Sequence, residues 1–122
     1  MTEHKSSEDY LEAILMIRKK TGSCRSIDVA THMGFSKPSV SIAMAKLETS
    51  GHVVKSTDGQ LYLTSLGEEV ASRTLEKHNF LVKLLTHIGV DENTAADDAC
   101  KLEHSLSPES FTKLRDWFES HK

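Results

Sequence analysis

The chain is poor in the features that most often classify a small protein. Only two of its 122 residues are cysteine, Cys24 and Cys100. They stand far apart, and a reduced chain of this size needs no disulfide, so each reads first as a buried thiol or a ligand. No apolar run approaches bilayer length, and the opening Met1-Thr2-Glu3-His4-Lys5 has no signal-peptide core. The expectation is a cytoplasmic protein with no membrane partner. Internal repeats, low-complexity stretches and an obvious flexible linker are absent. So is bulk positive charge: the formal net charge is −3, with seven histidines, which argues against nucleic acid as a partner. Hydrophobic residues make 38% and charged residues 27%, which excludes a disordered or membrane-embedded chain. The length suits one domain or two small lobes with a buried core.

The charge is uneven. Residues 1–65 carry a net +1 and residues 66–122 a net −4. Two halves of different balance point to two different jobs.

The pattern is mostly helical. Ser6 or Ser7 is placed to cap a first helix whose apolar face is Tyr10, Leu11, Ile14, Leu15 and Ile17. A short helix from about Ser26 to Met33 uses Ile27, Val29, Ala30 and Met33, and Gly34 turns the chain. Ser36 caps a third helix from Lys37 to about Ser50, with Pro38 in its first turn and Val40, Met44 and Leu47 inward. Two β-prone runs, Val53 to Ser56 and Leu61 to Thr64, flank Asp58-Gly59, a hairpin signal. Ser65-Leu66-Gly67-Glu68 has capping-box spacing and opens a long helix to about His87, with Leu66, Val70, Leu75, Leu81 and Leu85 as its ridge. Asn93 or Thr94 caps a fifth helix along Ala95, Ala99, Leu102 and Leu106. Ser107-Pro108 opens a sixth, with Phe111, Leu114 and Phe118 on one side.

Helix, glycine turn, helix and hairpin, in that order, make a winged helix-turn-helix. Such a unit sets a helix in the DNA major groove with its N-terminal residues at base edges. Here those residues are Ser36, Lys37, Pro38, Ser39, Ser41 and Ile42. The hydroxyls permit close approach, and Ile42 suits a thymine methyl. Arg25, Lys37 and Lys46 are candidate phosphate partners. The plain alternative is a three-helix packing unit with a capped helix start, since fold alone does not fix function.

The second half holds Cys100, Glu103 and His104, whose spacings share one helical face. Thiolate, carboxylate and imidazole together are a transition-metal ligand set. A small thiol beside a surface Glu-His pair is the plainer reading of this triplet alone. Asp9 and Glu12 share a face of the first helix, and His78 interrupts an apolar stretch from Leu75 to Leu85. Each has its own plain reading, as helix-start charge or a hydrogen-bonded core histidine.

The motifs recur in a meaningful order: Ser7-Glu8-Asp9-Tyr10-Leu11-Glu12-Ala13-Ile14, then Ser36-Lys37-Pro38-Ser39-Val40-Ser41, Leu63-Thr64 before Gly67, His78, and Cys100-Lys101-Leu102-Glu103-His104-Ser105-Leu106-Ser107. The set resembles the metal-dependent repressor family that includes the diphtheria toxin repressor and the manganese transport regulator. The resemblance covers essentially the whole chain. It implies a mainly α fold with a small β-hairpin: a winged helix-turn-helix over residues 1–64, then a linker helix and a helical dimerisation and metal-binding domain over 65–122. It implies a homodimer that binds palindromic double-stranded operator DNA when loaded with metal, represses, and controls metal homeostasis. By position, Asp9, Glu12, His78, Cys100, Glu103 and His104 match the family's metal ligands.

The match is mixed between branches. Asp9 and Glu12 resemble the manganese branch, whereas Cys100 resembles the iron branch. Val82 and Ala96 stand where the iron branch's ancillary site has an acid and a histidine, so that second site is not expected in that form. The SH3-like third domain of longer members is not expected either. Thiolate favours Fe²⁺ slightly over Mn²⁺, with Zn²⁺ or Co²⁺ as in-vitro occupants. The rival regulator is a metal-independent winged helix that senses oxidants or a small ligand through cysteine. An enzyme is not expected: nothing marks an oxyanion loop or a pocket for a small organic substrate.

Overall fold

Apolar residues at helical spacing put most of the chain into helices, and Gly, Pro and Asp-Gly signals set the breaks. The computed structural model describes residues 2–121, with side chains from residue 7 onward; these form six helices and one two-stranded hairpin. The helix α1 (Thr2–Thr21) buries Tyr10, Leu11, Ile14 and Leu15. It runs back to Thr2, so neither Ser6 nor Ser7 is its cap, and the Ser6 side chain lies outside the described ones. Nothing from Thr2 to Lys5 breaks a helix.

The helix α2 (Ser26–Met33) is fixed at its start by the Asp28 carboxylate, which accepts the Arg25 N–H at 2.9 Å. Gly34 ends it at φ 72°, a left-handed conformation that costs glycine nothing, and its N–H donates to the Ala30 carbonyl. Val29 and Ala30 are buried, but Ile27 is exposed. Two residues along a helix turn about 200°, so Ile27 and Val29 point to opposite sides.

The helix α3 (Lys37–Thr49) starts as expected. The Ser36 hydroxyl accepts the Ser39 N–H at 3.3 Å, and Val40, Met44 and Leu47 face inward. Strands β1 (Val53–Lys55) and β2 (Leu61–Leu63) pair antiparallel, Val53 opposite Leu63 and Lys55 opposite Leu61. Alternation turns Val53 and Leu61 inward and leaves Val54 and Tyr62 exposed.

The helix α4 (Ser65–His87) is capped by Thr64, not Ser65. The Thr64 hydroxyl accepts the Gly67 N–H at 3.1 Å and donates to the Gly51 carbonyl at 2.6 Å. Any Cβ at Gly67 collides with the His52 carbonyl. Early in the helix the buried line is Gly67, Ala71 and Thr74, which leaves the expected ridge residue Leu66 exposed, one position out of phase; further along, Leu81 of that ridge is buried.

Two compact units divide within α4, the first ending at Arg73 and the second beginning at Thr74. In the first, α1 packs on α2, α3 and β2, and α3 packs on β1. Leu11, Ile14, Val29, Val40, Met44 and Leu61 are its largest buried apolar side chains. The second adds α5 (Glu92–Leu102) and α6 (Pro108–His121). Its core joins Phe80 and Leu81 of α4 to Ala99, Phe111 and Phe118. Phe80 meets Phe111 and Phe118 edge-on, at 5.4 and 5.8 Å between ring centres.

Asp91 caps α5, accepting from the N–H groups of Asn93 and Thr94, rather than either of those residues serving as cap. Asp is an equally good cap and comes first. The helix stops at Leu102, before Leu106 of the expected line. Residues 103–105 form a turn in which the Ser105 N–H donates to the Leu102 carbonyl, and the Ser107 hydroxyl then caps α6 through the Ser110 N–H, with Pro108 holding Ser107 out of the helical region.

Candidate metal centre and nucleic-acid interface

In the second unit, helix geometry brings three donors together. His78 projects from α4 and Cys100 from the last turn of α5. Glu103 is the residue that closes α5, still near-helical at φ −60°, ψ −25°. His104 follows in the turn. The ligand atoms of His78, Cys100 and Glu103 all lie within 4.8 Å of one another, the scale of a single ion's coordination sphere. His78 Nδ1 is 2.8 Å from Glu103 Oε1 and 3.8 Å from Cys100 Sγ. His104 Nε2 is 3.6 Å from Glu103 Oε2, too far for a hydrogen bond.

The burial is telling. The Glu103 side chain is 1% exposed, yet its Oε2 has no hydrogen-bond partner among the described residues. A buried carboxylate oxygen left without a donor costs free energy unless a cation completes it. The surrounding donors are sulfur, nitrogen and oxygen, the set that suits Fe²⁺, Zn²⁺ or Co²⁺, with carboxylate as the part Mn²⁺ prefers. The residues present therefore fit a divalent ion. Cys100 is exposed, so its thiol is open to a ligand; Cys24 is buried. Burial, and Asp28 nearby, push the Cys24 thiol up to about 11, so it stays protonated and unreactive near neutral pH.

Asp9 and Glu12 stand one turn apart on α1, in the first unit, with Glu12 buried. The spacing expected from the sequence for this pair is present.

The DNA-facing residues expected from the sequence also lie in the first unit. Ser36, Lys37, Pro38, Ser39, Ser41, Ile42 and Lys46 are exposed, and Ile42, at 61%, is the most open large apolar side chain of the first unit. The Ser36 hydroxyl is partly engaged: it caps α3 and donates to Ser39 Oγ at 2.9 Å. Arg25 is exposed, but its Nη1 donates to the Asp58 carbonyl at 2.6 Å. Sequence reasoning missed Arg18 and Gln60, which also hold the hairpin; each acts across about 40 residues of chain, where no local pattern carries a signal. No helix among the described residues is long and apolar enough to cross a membrane.

A helix-turn-helix with a wing, followed along the chain by a unit with a clustered metal-ligand set, defines a class: DNA-binding regulators that respond to metal. Two family models divide this chain between them. The iron-dependent repressor N-terminal DNA-binding domain matches residues 4–61, and the iron-dependent repressor metal-binding and dimerisation domain matches residues 64–121. An uncharacterised HTH-type transcriptional regulator of Methanocaldococcus jannaschii is 34% identical over 119 residues, covering 96% of this chain and 95% of that protein. The HTH-type transcriptional regulator MntR of Bacillus subtilis is 32% identical, over 91% of this chain and 78% of its own length. Among solved structures, that of the manganese regulator SloR superposes with a TM-score of 0.81 at 27% identity; it covers 93% of this chain, which spans 53% of the SloR chain. The chain belongs to the iron-dependent repressor family, a family of metal-dependent transcriptional repressors and not of enzymes.

Proposed function

We propose that this protein is a cytoplasmic repressor that reads palindromic operator DNA as a homodimer when it holds a divalent ion. The buried oxygen of Glu103 that has no hydrogen-bond partner among the described residues, beside His78 and Cys100, carries the metal part of this reading. His78, Cys100, Glu103 and His104 are its proposed ligands in the second unit. Asp9 and Glu12 enter the set by their match to the family's ligand positions. The proposed division of labour falls at residues 64 and 65, DNA reading before it and metal binding and dimerisation after it.

A bound ion supplies positive charge and coordination bonds. The chain's own part is to place acidic groups where they repel while empty. Neutralised, they favour one arrangement among those the free protein samples, a population shift. In a symmetric dimer that arrangement sets two recognition helices about 34 Å apart, one turn of DNA. Lys37 and Lys46 are the proposed phosphate contacts of α3. Ser36, Pro38, Ser39, Ser41 and Ile42 are proposed to meet sugar, phosphate or base edges.

The test is fluorescence anisotropy on a duplex selected from a random pool by the metal-loaded protein. Affinity is expected to rise at least about tenfold between chelator and Fe²⁺ or Mn²⁺, within the usual range of allosteric coupling. Equal affinity in both removes the metal from the function. We place Fe²⁺ slightly ahead of Mn²⁺ because of the Cys100 thiolate, although the SloR neighbour is a manganese regulator. Cys100→Glu is expected to move the preference toward Mn²⁺ in competitive calorimetric titration. An unchanged preference contradicts the thiolate argument.

A further inference from the structure

The hairpin is too small to hold its own direction. Each strand has three residues, and an isolated two-stranded hairpin is marginal in water. Val53 at its root and Leu61, beside the turn, are the buried residues of the two strands. Beyond the root, it is fastened by α1 and by the chain that joins α1 to α2. The Leu61 N–H donates to the Cys24 carbonyl at 2.8 Å. In return, the Cys24 N–H donates to Gln60 Oε1 at 3.0 Å. From α1, Arg18 Nη1 donates to the Leu61 carbonyl at 3.1 Å, and its guanidinium lies 4.2 Å from the Tyr62 ring centre. At the tip, Arg25 Nη1 donates to the Asp58 carbonyl at 2.6 Å. The tip is also tied internally. The Asp58 carboxylate accepts from the Ser56 hydroxyl and from the Gln60 N–H, bonds that hold its carboxyl below the usual range.

We propose that Arg18, Arg25 and Gln60 are positioning residues that set the hairpin against α3, so that DNA meets helix and wing as one rigid surface. This rests on the DNA-reading function proposed above. All the groups involved lie within the first unit. Arg25 then has a different role from the phosphate contact its charge predicts, because its guanidinium is directed to the backbone of the wing turn. A wing ordered before binding spares the complex the entropy of ordering it.

The test uses the full chain, metal-loaded, with Arg25→Ala and Gln60→Ala. Gln60 carries no charge and never neutralises a phosphate, so it separates positioning from charge. Affinity for the selected duplex is measured across salt concentrations, and backbone hydrogen exchange is followed at Cys24 and Leu61. Both variants are expected to bind about three- to tenfold more weakly, the range of one lost hydrogen bond. The salt slope is expected to stay that of the parent, while the Cys24 or Leu61 amides exchange faster. A slope lowered by about one in Arg25→Ala marks a phosphate contact and overturns the proposal. Unchanged exchange in both variants overturns it too. If the parent protein selects no duplex, DNA reading itself falls, and the exchange measurement still decides whether these side chains hold the wing.

Discussion

Glu103 concentrates the chemistry of the second unit in one side chain. One carboxylate oxygen is bonded to His78 and the other is buried with no hydrogen-bond donor among the described residues. That arrangement is poor for a protein that never binds a cation and good for one that does. Glu103→Gln is therefore expected to separate stability from metal response. Loss of the buried charge offsets the weakened His78 contact, so metal-free stability stays within about 1 kcal/mol of the parent. At about a 100-fold excess of Co²⁺ over its Kd the parent gains about 2.7 kcal/mol, and the variant less than half of that. Thermal denaturation with and without Co²⁺ reads both; an equal gain contradicts the role of Glu103. How far the site was legible follows from distance along the chain. Spacing puts Cys100, Glu103 and His104 on one helical face, but alone it left a small thiol beside a surface Glu-His pair as the plainer reading. His78 lies more than 20 positions away, on another helix; as an interruption of an apolar stretch it read equally as a core histidine, and the family pattern tied it to the other ligands before the structure placed its ring against Glu103.

At the scale of elements, the helices were legible and their ends less so. Long apolar faces such as Tyr10 to Leu15 or Phe111 to Phe118 survive any error of phase, because many contacts vote together. A cap is one side chain, and neighbouring hydroxyls and carboxylates compete for it. Thr64 wins over Ser65 because its hydroxyl also reaches the Gly51 carbonyl, a partner invisible in local sequence. The same joint explains Gly67, which local reading treats only as one residue of a capping box. The start of α4 passes so close to His52 that no side chain fits there. Gly67→Ala is expected to destabilise the protein by about 1–3 kcal/mol although alanine is the better helix former, because the obstacle is backbone and cannot swing aside. Urea denaturation measures it. A stabilised variant contradicts the close approach of α4 and the β1 turn.

For the whole molecule, the net charge of −3 has two sources that pull in different directions. The part that carries the winged helix is slightly basic, and the part that carries the ligand cluster is acidic. Averaging them hides the DNA reader. Part of the acidity belongs to the proposed ligands themselves, Asp9, Glu12 and Glu103, and is neutralised locally when a divalent ion binds. This makes the central claim a statement about linkage: one equilibrium, metal binding, biases another, DNA binding. Linkage is reciprocal, so duplex must tighten metal binding by the same factor by which metal tightens duplex binding. The direct measurement is a calorimetric titration of Mn²⁺ or Fe²⁺, under anaerobic conditions, into the full chain with and without the selected duplex. The metal Kd is expected to fall at least about tenfold with duplex present, matching the anisotropy ratio. The same metal Kd in both titrations contradicts the account.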